Sequence, residues 1–157
     1  MAIANSLQRY LQQHHTQYYV LYHEHSNCSM DTAHKANIPA DSLAKSVVLR
    51  DGTDYLMAVL PANRQVDLHL VDQATGGRYC IAHEYEFSPR MGDCELGAIP
   101  PVGGAYNMKV LVDDALTWSQ DIYFEAGDHE ELVHMKTSEF MDLMIDASTA
   151  SFSRRTM

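Results

Sequence analysis

The chain has 157 residues, of which 46% are hydrophobic and 20% charged, the balance of one folded globular domain. Its 11 Lys and Arg against 21 Asp and Glu give a formal charge of −10 at pH 7. That argues against a protein that coats DNA or other nucleic acid non-specifically, since such binding comes from neutralising many phosphates, though it leaves open recognition of one nucleic-acid end. No apolar run approaches the roughly 18 residues of a membrane span, and the stretch from Met1 to Tyr10 has no basic-then-apolar leader. Cys28, Cys80 and Cys94 are odd in number and widely spaced, which suits a reducing cytoplasm better than a disulfide framework.

The pattern predicts a helix from Ser6 to His15, with Leu7, Tyr10 and Leu11 on one face and Asn5 as its cap. Tyr18 to Tyr22 reads as a strand, and Asp31 to Asn37 as a helix ending before Pro39. Ala44 to Arg50 and Tyr55 to Leu60 are two strands joined by the turn Asp51-Gly52-Thr53-Asp54, with Pro61 as a stop. Val66 to Ala74 reads as a helix stopped by Gly76-Gly77. A short apolar run at Tyr79 to Ala82 and a helical turn around Glu84 to Phe87 follow. Asp93 to Gly104 is a shaped loop, because Pro100 and Pro101 fix the backbone while flanking glycines permit unusual φ. Strands are expected at Lys109 to Val112, Asp121 to Glu125 and Leu132 to Met135. Thr137 would cap a last helix through Ile145, with Phe140, Met141 and Met144 facing inward. The expected organisation is one domain over residues 1–147, then a loosely held polar tail over 148–157 ending in Arg154-Arg155. Interleaved strands and helices make the fold α/β or α+β around a mixed sheet.

Several familiar site patterns fail on spacing. His129-Glu130-Glu131-Leu132-Val133-His134 resembles a zinc-protease helix, but its histidines are five apart and do not share a helical face. His23 and His25 flank Glu24 on an apparent strand, where alternate residues share a face; two ligands without a third read as a solvated strand end. His14-His15 read as the polar end of the first helix. The sequence has no nucleophile elbow, phosphate-binding Gly-rich loop or CxxC pair, so no metal and no cofactor is expected. Cys94 is a rival nucleophile with no evident partner base.

Three features remain. Lys45 lies early in the apolar strand Ala44-Lys45-Ser46-Val47-Val48-Leu49, as a snorkelling edge residue or as a fixed charge aimed into a pocket. Gly97-Ala98-Ile99-Pro100-Pro101 is either a rigid connector or a wall of backbone amides and carbonyls around a small polar substrate. Gly127-Asp128-His129 is a turn followed by a histidine.

In this order the pieces resemble the YbaK/ProX family, the aminoacyl-tRNA deacylases related to the editing insertion of bacterial prolyl-tRNA synthetases. The resemblance runs from near Tyr22-His23 to about Met144. It is carried by Leu43 to Val48, by Ala58-Val59-Leu60-Pro61-Ala62 with Asp67-Leu68, by Cys94 to Gly103, by Val110 to Asp113, and by Ala126 to His129. It implies a partly barrel-like mixed sheet surrounded by helices, and hydrolysis of the ester that joins a wrong amino acid to the 3′-terminal adenosine of a tRNA. The family's pocket lysine falls on Lys45, facing the Gly97 loop. Its loop glycine falls on Gly97, with Pro101 closing the motif, and its late histidine on His129. Ala98, Ile99, Pro100 and Pro101 would line the substrate. The implied partner is the acceptor end of a mischarged tRNA, with a synthetase or elongation factor lending affinity. A non-catalytic ligand- or tRNA-end-binding module on the same fold is the competing expectation.

Overall fold

The computed structural model describes residues 3–95, 98–144 and 146–156. The strands are β1 (Tyr19–Tyr22), β2 (Leu43–Asp51), β3 (Asp54–Pro61), β4 (Arg64–Val66), β5 (Cys80–Ile81), β6 (Lys109–Asp113), β7 (Asp121–Glu125), β8 (Glu131–Lys136), β9 (Ser148–Ala150) and β10 (Ser153–Arg155). The helices are α1 (Asn5–Gln13), α2 (Ser29–Ala36), α3 (Leu68–Thr75), α4 (Glu84–Phe87) and α5 (Thr137–Leu143). One mixed sheet runs β1-β8-β7-β2-β3-β6-β9, with β5 added to the far end of β2, and β10 pairs β4 separately. The path is open among the described residues: β1 and β9 are its two edges. This is the mixed α/β architecture expected from the interleaving of elements.

The β2–β3 hairpin is the centre of the sheet. Its register closes at Asp51↔Asp54, leaving Gly52-Thr53 as a two-residue turn, and Gly52 takes the required positive φ of 62°. Side chains alternate along β2, so its two faces join different layers. Ala44 and Val48 enter the larger core with Leu7, Leu11, Phe124 and Phe140. Leu43 packs with Ala33, Ala62 and Leu132, and Leu49 with Val71, Leu111 and Phe152. Helices α1 and α5 therefore cover one face, α2 and α3 the other. Each fully buried Leu or Phe contributes about 1.5–3 kcal/mol.

Helix ends differ in detail from the sequence reading. Asn5 is the first helical residue, not the cap; the Ser6 N–H instead donates to Asp93 Oδ2 at 2.8 Å, a distant carboxylate placed where the helix dipole favours it. Val66 belongs to β4, and Asp67 caps α3 by accepting from His69 N and Leu70 N at 3.0 and 3.3 Å. Pro61 ends β3 from within it, opposite Ala44. Thr137 begins α5 rather than capping it and donates its hydroxyl to Ser119 O. Ile145, the expected end of that helix, lies outside the described residues.

The C-terminal end departs most from expectation. Residues expected to be loose form β9, parallel to β6, and β10, antiparallel to β4. Between them Phe152 is fully buried. The buried Asp113 accepts from Phe152 N at 3.0 Å and from Ser153 Oγ at 2.7 Å. Short strands held by one aromatic and one remote carboxylate leave no periodicity to read. No helix among the described residues is long and apolar enough to cross a membrane.

Candidate active site

Lys45 sits near the start of β2, paired with Leu60. Its ammonium donates to the Ala62 carbonyl at 3.2 Å, one of three donors it owns. Burial pulls it below the usual lysine range, with the neighbouring Cys28 acting the other way. Its neighbour Ser46 leaves from the opposite face and donates to the Ile99 carbonyl at 2.9 Å. Among the described residues, then, it is Ser46 that reaches the loop expected to face Lys45.

Gly97 lies outside the described residues. The segments flanking it are held at both sides: Glu95 N donates to Gly127 O at 2.7 Å, and Ala98 N to Glu95 O at 3.1 Å. Ala98, Pro100 and Pro101 are buried, whereas Ile99 is partly exposed. Ile99 and Ser46 line a cleft of about 390 Å³ with Ala82, His83 and Phe87.

The turn after β7 positions His129. Gly127 adopts φ 120°, and a Cβ there would lie 2.9 Å from the Cβ of Ala4. Asp128 Oδ1 accepts from Glu130 N and Glu131 N at 3.1 and 2.9 Å, closing an Asx-type turn. His129 is itself at φ 54° and is 6% exposed. Its Nδ1 lies 4.0 Å from Glu125 Oε2, and its ring meets that of His25 edge-on at 5.6 Å.

Glu125 was not anticipated. It ends β7, is buried, and its Oε1 lies 3.1 Å from Nε2 of His23, whose side chain is fully buried. Burial pushes its carboxyl up to about 7; the charges of Asp128 and Glu95 push the same way, against a hydrogen bond from Thr32 and the attraction of His129. His23 is thus no solvated strand end: β1 stops at Tyr22 and the ring turns inward, while the His25 side chain stays 55% exposed. Ser26 completes the link, donating its N–H to His129 O at 3.3 Å and exchanging a 2.5 Å bond with Thr32 Oγ1 on α2. The signal was present in sequence: an ionisable residue closing the apolar strand Asp121–Glu125, the same argument that singled out Lys45.

Lys45 and Glu125 belong to neighbouring strands. The parallel register pairs Leu43 with Tyr123 and Ala44 with Phe124. Lys45 and Glu125 each follow these pairs by one residue, on the face that carries Leu43 and Tyr123, and the Lys45 ammonium reaches Ala62 O. His134, by contrast, stacks on Tyr123 at 4.3 Å and bonds Asp121 at 3.1 Å, so the two histidines of the protease-like stretch sit in different surroundings. Among the described residues no group of three or more His, Cys, Asp or Glu is arranged to hold a metal. Cys94 is bonded to Tyr106 Oη at 2.9 Å and to Asp93 at 3.4 Å. Burial pushes its thiol up to about 12, so it carries no thiolate at neutral pH.

Solved structures share this fold. A hypothetical protein superimposes with TM-score 0.84 at 17% identity, over 96% of this chain and 100% of its own. A protein described as a candidate trans-editing enzyme for prolyl tRNA synthetase does so with TM-score 0.82 at 19% identity, over 96% of each chain. Part of a candidate signal transduction protein from Marinobacter aquaeolei matches with TM-score 0.76 at 18% identity, over 94% of this chain and 30% of that one. At these identities the likeness is one of fold. No curated protein matches the chain. Residues 23–143, which include Lys45, the loop around Ile99 and the Glu125–His129 turn, match the aminoacyl-tRNA editing domain, and the chain belongs to that family.

Proposed function

We propose that the protein is an aminoacyl-tRNA deacylase, which hydrolyses the ester between a wrong amino acid and the 3′-terminal adenosine of a tRNA without metal or cofactor. The observation that carries this reading is a buried carboxylate, Glu125, flanked by His23 and His129 at the end of β7, the strand that runs parallel to the start of β2 where Lys45 lies. Water attacks the ester carbonyl carbon, the carbonyl π pair moves to its oxygen, and the tetrahedral species collapses by expelling the ribose oxygen, which takes a proton. Two demands follow: stabilisation of the oxyanion, and a group that holds and returns a proton near neutral pH.

Positioned donors at such an oxyanion are worth about 2.7–4 kcal/mol each. Lys45, with donors to spare beyond Ala62, and backbone amides at Gly97 serve the first demand. Glu125, titrating at about 7, serves the second with His129, which orients the water or the ester. Ile99 walls a cleft with Ser46, on the face of β2 opposite Lys45, and the buried Ala98, Pro100 and Pro101 hold the backbone that shapes it. An activated ester needs no protein nucleophile, and the protonated Cys94 thiol supplies none. Editing of this kind answers the limit of a synthetase pocket, where one methylene gives only about 1–3 kcal/mol of discrimination. The expected setting is the cytoplasm, where a synthetase or elongation factor would deliver the substrate.

The test is incubation with a panel of mischarged tRNAs, before and after overnight chelation. Release of the amino acid from at least one, unchanged by chelation, supports the reading. A panel left intact, with the acylated tRNAs still bound, would favour the non-catalytic module.

A further inference from the structure

The chain's one tryptophan is on the surface. Trp118 closes a short 3-10 turn, Asp114–Trp118, and is 74% exposed. The guanidinium of Arg64 lies 5.9 Å from its ring centroid, on one face. In the β4–β10 ribbon Arg155 is directly opposite Arg64, so their side chains share a face. In sequence Arg155 lies in the polar C-terminal stretch, and only the ribbon brings it beside Arg64.

The charges nearby are engaged unequally. Asp113 is buried and bonded to Phe152 N and Ser153 Oγ, and lies 3.9 Å from Arg64. Asp67 caps α3 and pairs with Arg154. Among the described residues no acid pairs with Arg155. The surface therefore presents an exposed indole with the Arg64 guanidinium, itself bonded to Ser153 Oγ and O, over one face, and Arg155 opposite Arg64 on the ribbon. In a chain of net charge −10, such a pairing is the exception.

We propose that this surface, Trp118 with Arg64 and Arg155, holds the unpaired 3′ nucleotides of an RNA. An aromatic face for a base and cations for the adjoining phosphates are what single-stranded nucleic acid requires. The location fits. Arg64 is two residues from Ala62, whose carbonyl holds Lys45, and two residues of chain span at most about 7 Å. Asn63, between them, is tied to the last strand through Thr156 N at 3.0 Å. A strand laid across the indole thus runs towards the lysine end of the site. This inference rests on the reading that an aminoacyl-tRNA is the substrate.

Because Trp118 is the only indole, its fluorescence reports directly on stacking. The probe is an unacylated RNA hairpin that carries a tRNA-like single-stranded 3′ end, compared with the same hairpin trimmed flush. The full probe should quench Trp118 and the flush one should not. By anisotropy of labelled hairpin, Trp118→Ala should bind at least about fivefold more weakly, and Trp118→Phe should restore much of the loss. Arg155→Ala should weaken binding and flatten the dependence of log K on log salt by about 0.7, one phosphate contact on a single strand. Equal quenching by both hairpins, or Trp118→Ala binding as tightly as wild type, overturns the proposal. If the wild type hydrolyses mischarged tRNA without any quenching by the full hairpin, this surface is wrong and the deacylase reading stands. If it quenches but hydrolyses nothing, the surface stands and the deacylase reading is wrong.

Discussion

Replacing Glu125 by glutamine keeps the shape of the side chain and removes its titration. Burial lifts the carboxyl from its ordinary 4.5 to about 7. The native chain therefore holds this proton more tightly than the unfolded chain does. The stabilisation is fully present below about pH 4.5 and is lost as the pH rises through about 7. The gap between those two values corresponds to at most about 3 kcal/mol. The groups facing Glu125 are His23 from the β1–α2 connector, Thr32 from α2, Asp128 and His129 from the following turn, and Glu95 from the loop. Glu125 Oε1 and His23 Nε2 share a hydrogen bond at 3.1 Å. Urea unfolding of wild type and Glu125→Gln at pH 5, 6, 7 and 8 isolates the effect from other titrations. Wild type should lose about 2–3 kcal/mol relative to the variant between pH 5 and 8. Curves that stay parallel across that range would mean that the carboxylate is not held in a desolvated site, and its assigned role as proton holder would fail.

Other outcomes follow from the packing. Phe152→Ala should cost about 3–5 kcal/mol in chemical denaturation, as for a core aromatic; a loss below about 0.5 kcal/mol would mean a loose tail after all. Gly127→Ala should destabilise by about 1–3 kcal/mol, since alanine must adopt φ 120° with its Cβ against Ala4. An unchanged thermal midpoint would refute that strain. Cys94→Ala should retain most deacylation, because a thiol at about 12 is not a nucleophile at neutral pH.

Local signals carried most of the fold into view. Asp51 to Asp54 marks its hairpin because a two-residue turn needs the positive φ that Gly52 supplies. The spacing of Leu7 and Leu11 marks α1, since both are fully buried on one face. What stayed hidden depends on remote partners. The carboxylate that caps α1 is Asp93, 87 residues away. The C-terminal strands are fixed by Asp113, about whose partners composition says nothing. The site divides in the same way. Lys45 stands out as a cation in an apolar strand, and Gly127-Asp128-His129 as a turn. The cluster itself forms only when β2 runs parallel to β7 and the β1–α2 connector folds over both, bringing His23 to Glu125 across 102 residues.

The central claim is that Lys45 assists attack by water, and it is tested most directly by one comparison. Wild type, Lys45→Ala and Cys94→Ala would be assayed on the same mischarged tRNA, with circular dichroism as the folding control. Lys45→Ala should lower kcat/KM at least about tenfold, or 1.4 kcal/mol of transition-state free energy, with an unchanged spectrum, while Cys94→Ala stays active. A fully active Lys45→Ala beside a dead Cys94→Ala would contradict the account and put a thiol nucleophile in its place.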